Sequence, residues 1–308
     1  MLGRALGRAL QDKHEIWGLD LTSAQTSMLS AAKRGGSTKD FGGSAQNFIE
    51  CDITDKDKLI SVIGKIRPDI VIHTAAYTDV DGCELGPDKA YKINGEGTEN
   101  IALACKKHDA LLIYISTDFV FDGTKIGAYN EEDAPNPINT YGRSKLMGEE
   151  AIRKNVKRYY IIRTSWLFGE GGRNFVNTII EKARVEKRIK IVSNQFGCPT
   201  YAIDLAQAIE RLISHIERVS FGTYHVSSGS ACSWYELAKE IISLLKLNEV
   251  TIEPISADEY KTPTTRPHNS VLNITKFASA VGIKMRGHKE ALAEYLDKIK
   301  MGYVNAKR

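Results

Sequence analysis

The feature that most restricts this chain is a short apolar run ending in hydroxyl residues, followed across a proline-containing loop by polar residues at helical spacing. Leu111-Leu112-Ile113-Tyr114-Ile115 is apolar throughout and sharply bounded, the pattern of a strand buried on both faces of a parallel sheet. It delivers Ser116, Thr117 and Asp118. Ligands of open α/β sheets bind outside the carboxyl ends of the strands, so Thr117 is expected to face one. Pro135 and Pro137 then break the chain, Asn139 or Thr140 can cap, and Lys145 to Ile152 continues with helical spacing. Tyr141 and Lys145 thereby fall one turn apart on one helix face.

That spacing has a chemical use. A phenol with a pKa of about 10 is a poor acid-base group at neutral pH unless a fixed cation stabilises its anion. Lys145 can supply the charge and Thr117 a hydrogen bond to a substrate oxygen. Together the three can protonate a carbonyl oxygen while a hydride arrives at its carbon. Tyr-x-x-x-Lys recurs at Tyr235 to Lys239, following Ser233-Trp234 in an amphipathic stretch with no strand-ending hydroxyl upstream, and that copy reads as structural.

At 308 residues, 42% hydrophobic and 26% charged, the chain can bury a full core, and the net charge of +4 is too slight to suggest nucleic acid. The densest basic run, Lys182 to Lys190, contains Glu186 and reads as a solvated helix end. Cys51, Cys83, Cys105, Cys198 and Cys232 are scattered, which favours buried thiols in a reducing compartment, and the chain is expected to be cytoplasmic. The histidines show no metal-ligand spacing, so no metal site is expected. No apolar run approaches the ~20 residues of a membrane span.

In chain order, residues 2 to 11 read as a helix and Glu15 to Leu19 as a strand ending at Asp20. A dinucleotide fold needs a strand, spaced glycines and then a helix whose N-terminus receives the pyrophosphate; only the last glycine can be placed, at Gly3. Asp20 falls where a carboxylate would bind the adenine ribose and favour NAD, although Lys33 and Arg34 could reach a 2′-phosphate. Thr22 to Gln46 lacks an apolar period and is expected to be irregular, with at most one short helix. Asn47 to Cys51 reads as a strand, and Asp52-Ile53-Thr54-Asp55 as its end and the next helix cap. Asp69 to His73 is another strand, Pro87 to about Lys107 a long helix carrying Asn94, and Tyr159 to Arg163 a strand leading to Thr164. Short strands are expected at Ile189 to Val192, Tyr224 to Val226, Thr251 to Ile252 and Val271 to Leu272. Arg266, before Pro267, could hold a diphosphate bidentately or pair with a nearby carboxylate.

Ser116-Thr117-Asp118-Phe119-Val120-Phe121-Asp122-Gly123 followed by Tyr141-Gly142-Arg143-Ser144-Lys145 resembles the extended short-chain dehydrogenases, and most closely the dTDP-4-dehydrorhamnose reductases. Further matching segments are His73 to Asp81, Arg163 to Gly169, Asn174-Phe175-Val176, Gln195 to Thr200 and Arg266 to Ser270. The resemblance implies a Rossmann-type doubly wound parallel sheet over residues 1–165, and a smaller C-terminal α/β substrate lobe over 166–308, with some interleaving. It also implies that the central first strand and two glycines are missing.

By the same resemblance the chain reduces the C4 ketone of a dTDP-4-keto-6-deoxy sugar with NADPH or NADH. Thr117, Tyr141 and Lys145 are catalytic. Cofactor contacts fall to Gly3, Asp20, Asp52, Ile53, Ala75, Ala76, Tyr77, Asn94 and Thr164, together with Tyr141 and Lys145. Substrate contacts fall to Asp118, Trp166 and Arg266 beside Thr117. A nucleotide sugar is the implied partner and a homodimer the implied assembly. The alternatives are a non-catalytic regulatory subunit like that of methionine adenosyltransferase, or a nucleotide-sugar epimerase. Sugar dehydratases of the group follow the threonine with Asp-Glu, whereas here Phe119 follows Asp118. The expected outcome for Tyr141→Phe is lost turnover with nearly intact cofactor binding, measured by NADPH consumption beside a cofactor titration.

Overall fold

Seven strands form one sheet in the computed structural model, which describes residues 1–21, 29–34 and 47–305. They are β1 (His14–Asp20), β2 (Leu29–Arg34), β3 (Phe48–Glu50), β4 (Ile70–His73), β5 (Leu111–Thr117), β6 (Tyr159–Thr164) and an edge strand, Gly222–His225. Across the sheet the order is edge strand, β6, β5, β4, β2, β1, β3. The pairs β4–β5, β5–β6, β6–edge and β1–β3 are parallel.

Side chains alternate between two cores, as the two-residue period of a strand requires. Ile70, Ile72, Leu111, Ile113, Tyr160 and Ile162 point to one face. There they meet Leu6 and Leu10 of α1 (Leu2–Leu10) and Leu205, Ile209 and Leu212 of the helix Ala202–Ser214. Val71, Leu112, Tyr114 and Ile161 point to the other, against Leu59 and Ile63 of α2 (Lys56–Ile66) and Ile101 and Cys105 of the helix Gly97–His108. Helices therefore cover both faces, which is why the central strands read as continuous apolar runs.

Within the expected irregular stretch, Leu29–Arg34 is instead a strand, antiparallel to β1 on one side and β4 on the other. It lies centrally, between β4 and β1. Two strand edges would otherwise present unpaired backbone N–H and C=O groups, and β2 satisfies both. Its sequence, Leu-Ser-Ala-Ala-Lys-Arg, lacks the β-branched and aromatic residues that announce a strand. Residues 22–28 and 35–46 lie outside the described residues, as do the side chains of Lys33 and Arg34.

The long helix expected from Pro87 is interrupted: an α-turn at Pro87–Ala90 passes into a π-helical segment, Tyr91–Glu96, before the helix Gly97–His108. Beyond β6, a third core gathers Phe168, Val176, Ile179, Ile189, Leu237, Ile241, Leu292 and Tyr295. Arg188–Val192 pairs in parallel with Thr251–Ile255 beside it. Val271 to Leu272 forms no strand and is held by a single bridge from Leu272 to Tyr129. The chain interleaves, because Ala202–Ser214 and the edge strand return to the first sheet. No helix among the described residues is long and apolar enough to cross a membrane.

Leu6 is fully buried between α1, the sheet and Ala202–Ser214. Leu6→Ala is expected to lower the unfolding free energy by about 2–5 kcal/mol, read from urea denaturation.

Candidate active site

Strand β5 ends at Thr117, whose side-chain oxygen accepts a hydrogen bond from the Phe119 N–H (3.1 Å) and so caps a single 3₁₀ turn, Asp118–Val120. On β6 the register pairs Ser116 with Arg163 and Thr117 with Thr164, which sets Thr164 beside Thr117 and Trp166 just beyond the sheet. The helix Thr140–Asn155 is capped by Asn139, whose Oδ1 accepts from the Gly142 N–H at 2.8 Å. A Cβ on Gly142 would stand 2.1 Å from the Phe119 carbonyl oxygen. Only glycine lets the helix start press against the turn after Thr117, and this brings Tyr141 to the strand end.

These elements surround a cavity of about 920 Å³. Thr117, Asp118, Tyr141, Lys145, Thr164, Trp166 and Arg266 all line it. So do Gly3 in the first turn of α1 and the short Thr74 and Ala76 after β4. The α1 N-terminus has no side-chain cap, which leaves backbone N–H groups facing a cavity bordered by small residues. Such a terminus suits the phosphates of a dinucleotide, so the residues present fit that cofactor.

Burial sets the ionisation of the site. It pulls the Lys145 ammonium down to about 7, opposed by the negative charge of Glu149. Lys145 Nζ donates to the Ile115 carbonyl at 2.7 Å and lies 4.1 Å from the Tyr114 ring centroid. Tyr141 is pushed up by desolvation and then by the charge of Asp118, so its phenol stays protonated at neutral pH. Asp118 is itself raised to about 7 by burial, against the pull of the Ser270 and Thr117 hydroxyls. The Thr117 hydroxyl donates to Asp118 Oδ1 at 3.0 Å.

One buried network ties these pieces together. Glu149, one helical turn beyond Lys145, accepts bidentately from Arg163, Nε at 2.9 Å and Nη2 at 2.8 Å. Its Oε1 also accepts from the Ser116 hydroxyl at 2.6 Å, and Arg153 reaches Oε2 at 2.7 Å. Its carboxyl is lowered overall: desolvation acts upward, and Arg163, Arg153 and Ser116 outweigh it.

Other expected residues stand elsewhere. Asp52 is exposed, and its Oδ1 accepts from the Thr54 N–H (2.8 Å); the cap of α2 is Asp55, accepting from Lys58. Ile53 packs in the core against Gly97, and Ala75 packs beside the same core. Asp20 is buried at the end of β1, where its Oδ1 accepts from the Leu21 N–H. Asn94 holds both backbone groups of Tyr77, at 2.8 and 3.0 Å, and donates to the Ser144 hydroxyl at 3.0 Å. It therefore acts as a structural clamp on the segment beside the cavity. Arg266 is paired with Asp81 at 2.8 Å and donates to Thr262 at 2.7 Å. Lys182, Lys190 and Lys261 also border the cavity, Lys182 half-buried and the other two exposed. Trp234 and Phe175 complete one wall, although nothing in the local sequence gives either ring a place in a site. Tyr235 and Lys239 are absent from the lining and sit on the helix Trp234–Leu245.

A family model described as RmlD substrate binding domain matches residues 1–301. The spore coat polysaccharide biosynthesis protein SpsK of Bacillus subtilis is 44% identical over 245 residues, 80% of this chain and 84% of its own. The dTDP-4-dehydrorhamnose reductase of Aggregatibacter actinomycetemcomitans is 38% identical over 256 residues, 80% and 87% of the two chains. Among solved structures, the dTDP-4-dehydrorhamnose reductase of Clostridium acetobutylicum superposes with a TM-score of 0.81 at 33% identity, over 97% of this chain and 96% of its own. That of Bacillus anthracis in complex with NADP gives 0.77 at 38% identity, over 82% and 90%.

Lys145 carries a stability signature. Between its folded value of about 7 and its ordinary value of 10.5, the unfolded chain holds a proton that the folded chain has released, so this group makes stability rise with pH. From pH 7 to 9 the urea midpoint of the wild type is expected to rise relative to that of Lys145→Met.

Proposed function

Because the chain belongs to the RmlD substrate binding domain family, we propose that it reduces the C4 ketone of a dTDP-4-keto-6-deoxy sugar with NADPH or NADH. The product from dTDP-4-dehydrorhamnose is dTDP-rhamnose, a precursor for polysaccharide. The observation that carries this reading is the convergence of Thr117, Tyr141 and Lys145 on the cavity that α1 also enters. When bound, the cofactor supplies the hydride that adds at C4, and its phosphates would lie against the α1 N-terminus at Gly3, beside Ala76.

The chain's own residues manage the proton. Tyr141, kept protonated by burial and by Asp118, donates its phenolic proton to the C4 oxygen as the ketone becomes an alcohol. Lys145 in its charged form stabilises the phenolate that remains, until solvent returns a proton. Glu149 favours that charge from the next turn of the helix. When Asp118 is ionised, the single proton of the Thr117 hydroxyl is committed to it. In the neutral form Asp118 can donate instead, which frees the Thr117 proton for the substrate oxygen. A raised Asp118 thus suits the orienting role assigned to Thr117.

The substrate diphosphate would meet Arg266, which lines the cavity while paired with Asp81, together with Lys182, Lys190 and Lys261. The same reading takes a homodimer as the assembly and the cytoplasm as the compartment; the five buried free thiols suit a reducing one.

The test is NADPH or NADH consumption by the purified chain given the dTDP-4-keto-6-deoxy sugar. Turnover is expected, with kcat/KM falling as pH rises through the Lys145 value of about 7. Silence with both cofactors would remove the reductase reading.

A further inference from the structure

Four non-glycine residues among those described have positive φ: Arg67, Asp109, Trp166 and Lys246. Three of them end helices, where a left-handed residue is ordinary. Trp166, at φ 47°, ends no helix and stands in the cavity wall. A bulky residue persists in that region only when its surroundings hold it there.

Two segments distant in sequence do the holding. The Trp166 and Trp234 rings are stacked, with centroids 3.3 Å apart and planes 5° from parallel. Trp234 opens the helix Trp234–Leu245, whose start is fixed by a reciprocal cap: Ser233 Oγ accepts from the Glu236 N–H, and Glu236 Oε2 from the Ser233 N–H. Phe175 closes on Trp234 at 4.5 Å. Cys232–Ser233 also pairs antiparallel with Phe196–Gly197, and a Cβ on Gly197 would lie 2.4 Å from Trp166 Cε2. The indole of Trp166 is thus confined by a ring and by a backbone that must be glycine.

We propose that Trp234 and Gly197 are positioning residues for sugar recognition, holding the Trp166 indole as a fixed apolar wall beside the reacting carbonyl. This rests on the reductase reading. Trp166 lies two residues past Thr164, the register partner of Thr117, so the wall stands at the sugar end of the cavity. Its stacked face is closed to substrate. Gly197 lies against the ring as well, so it is the remaining indole surface lining the cavity that would meet the methyl side of a deoxyhexose, where the missing hydroxyl leaves a group in need of a dry contact.

The test compares Trp234→Ala, Trp234→Phe and Gly197→Ala with the wild type for KM and kcat toward the dTDP-4-keto-6-deoxy sugar, and for NADPH affinity. Near-UV circular dichroism of the indole pair and melting temperature are followed in parallel. Gly197→Ala removes no aromatic surface, so it displaces Trp166 while leaving both rings present. Expected for Gly197→Ala and Trp234→Ala are a rise in sugar KM of about 3- to 10-fold, unchanged NADPH affinity and loss of the indole-pair signal. Trp234→Phe is expected to recover most of the KM. Folded Trp234→Ala and Gly197→Ala proteins with wild-type KM would overturn the proposal, as would a raised KM with the indole-pair signal intact. A wild-type protein without turnover would instead sink the reductase reading and this role with it.

Discussion

The buried pair between Glu149 and Arg163 is the constraint on which the site depends. A carboxylate removed from water is tolerable only when its oxygens are answered, and here Arg163, Ser116 and Arg153 answer them. Each partner belongs to an element that must be placed: Ser116 to the strand ending at Thr117, Arg163 to the next strand, and Glu149 to the helix of Tyr141 and Lys145. The pair therefore fixes the height of the helix against two strands. A hydrophobic contact at the same place would fill space without specifying register so narrowly.

The same placement explains why the ionisable groups are perturbed as they are. Pressing the helix onto the strand ends, which Gly142 permits, removes water from Lys145, Asp118 and Tyr141 together. Desolvation then pushes the lysine toward neutrality and the two acids toward protonation. Proton donation benefits from the latter and is opposed by the former, and Glu149 sits where it offsets the cost to Lys145.

Much of this was legible before any coordinates because the central strands and the active-site helix obey simple periods. Apolar runs at 70–73, 111–117 and 159–164 are strands because both faces are buried, and Tyr141 and Lys145 meet because a helix repeats every ~3.6 residues. Long-range pairings were not legible. Nothing local to Arg266 names Asp81, and nothing near Trp234 shows that its ring reaches the cavity. The Asn94 clamp could be suspected from a polar residue in an apolar setting, yet its partners at Tyr77 and Ser144 come from two other segments. Strand β2 has the composition of a helix or loop and is a strand because of the two edges beside it.

That strand also divides the sheet unevenly. As far as sheet hydrogen bonding goes, β1 and β3 reach β4 through β2 alone. The β4–β5 and β5–β6 ladders do not include β2, although β4 also pairs with it, while β1 and β3 are joined to that half of the sheet through β2. β2 is thus the seam at which the sheet's hydrogen bonding divides into two halves. Without β2 the half carrying Thr117 would keep its β4–β5–β6 pairing, and the half carrying Asp20 would keep only β1 with β3.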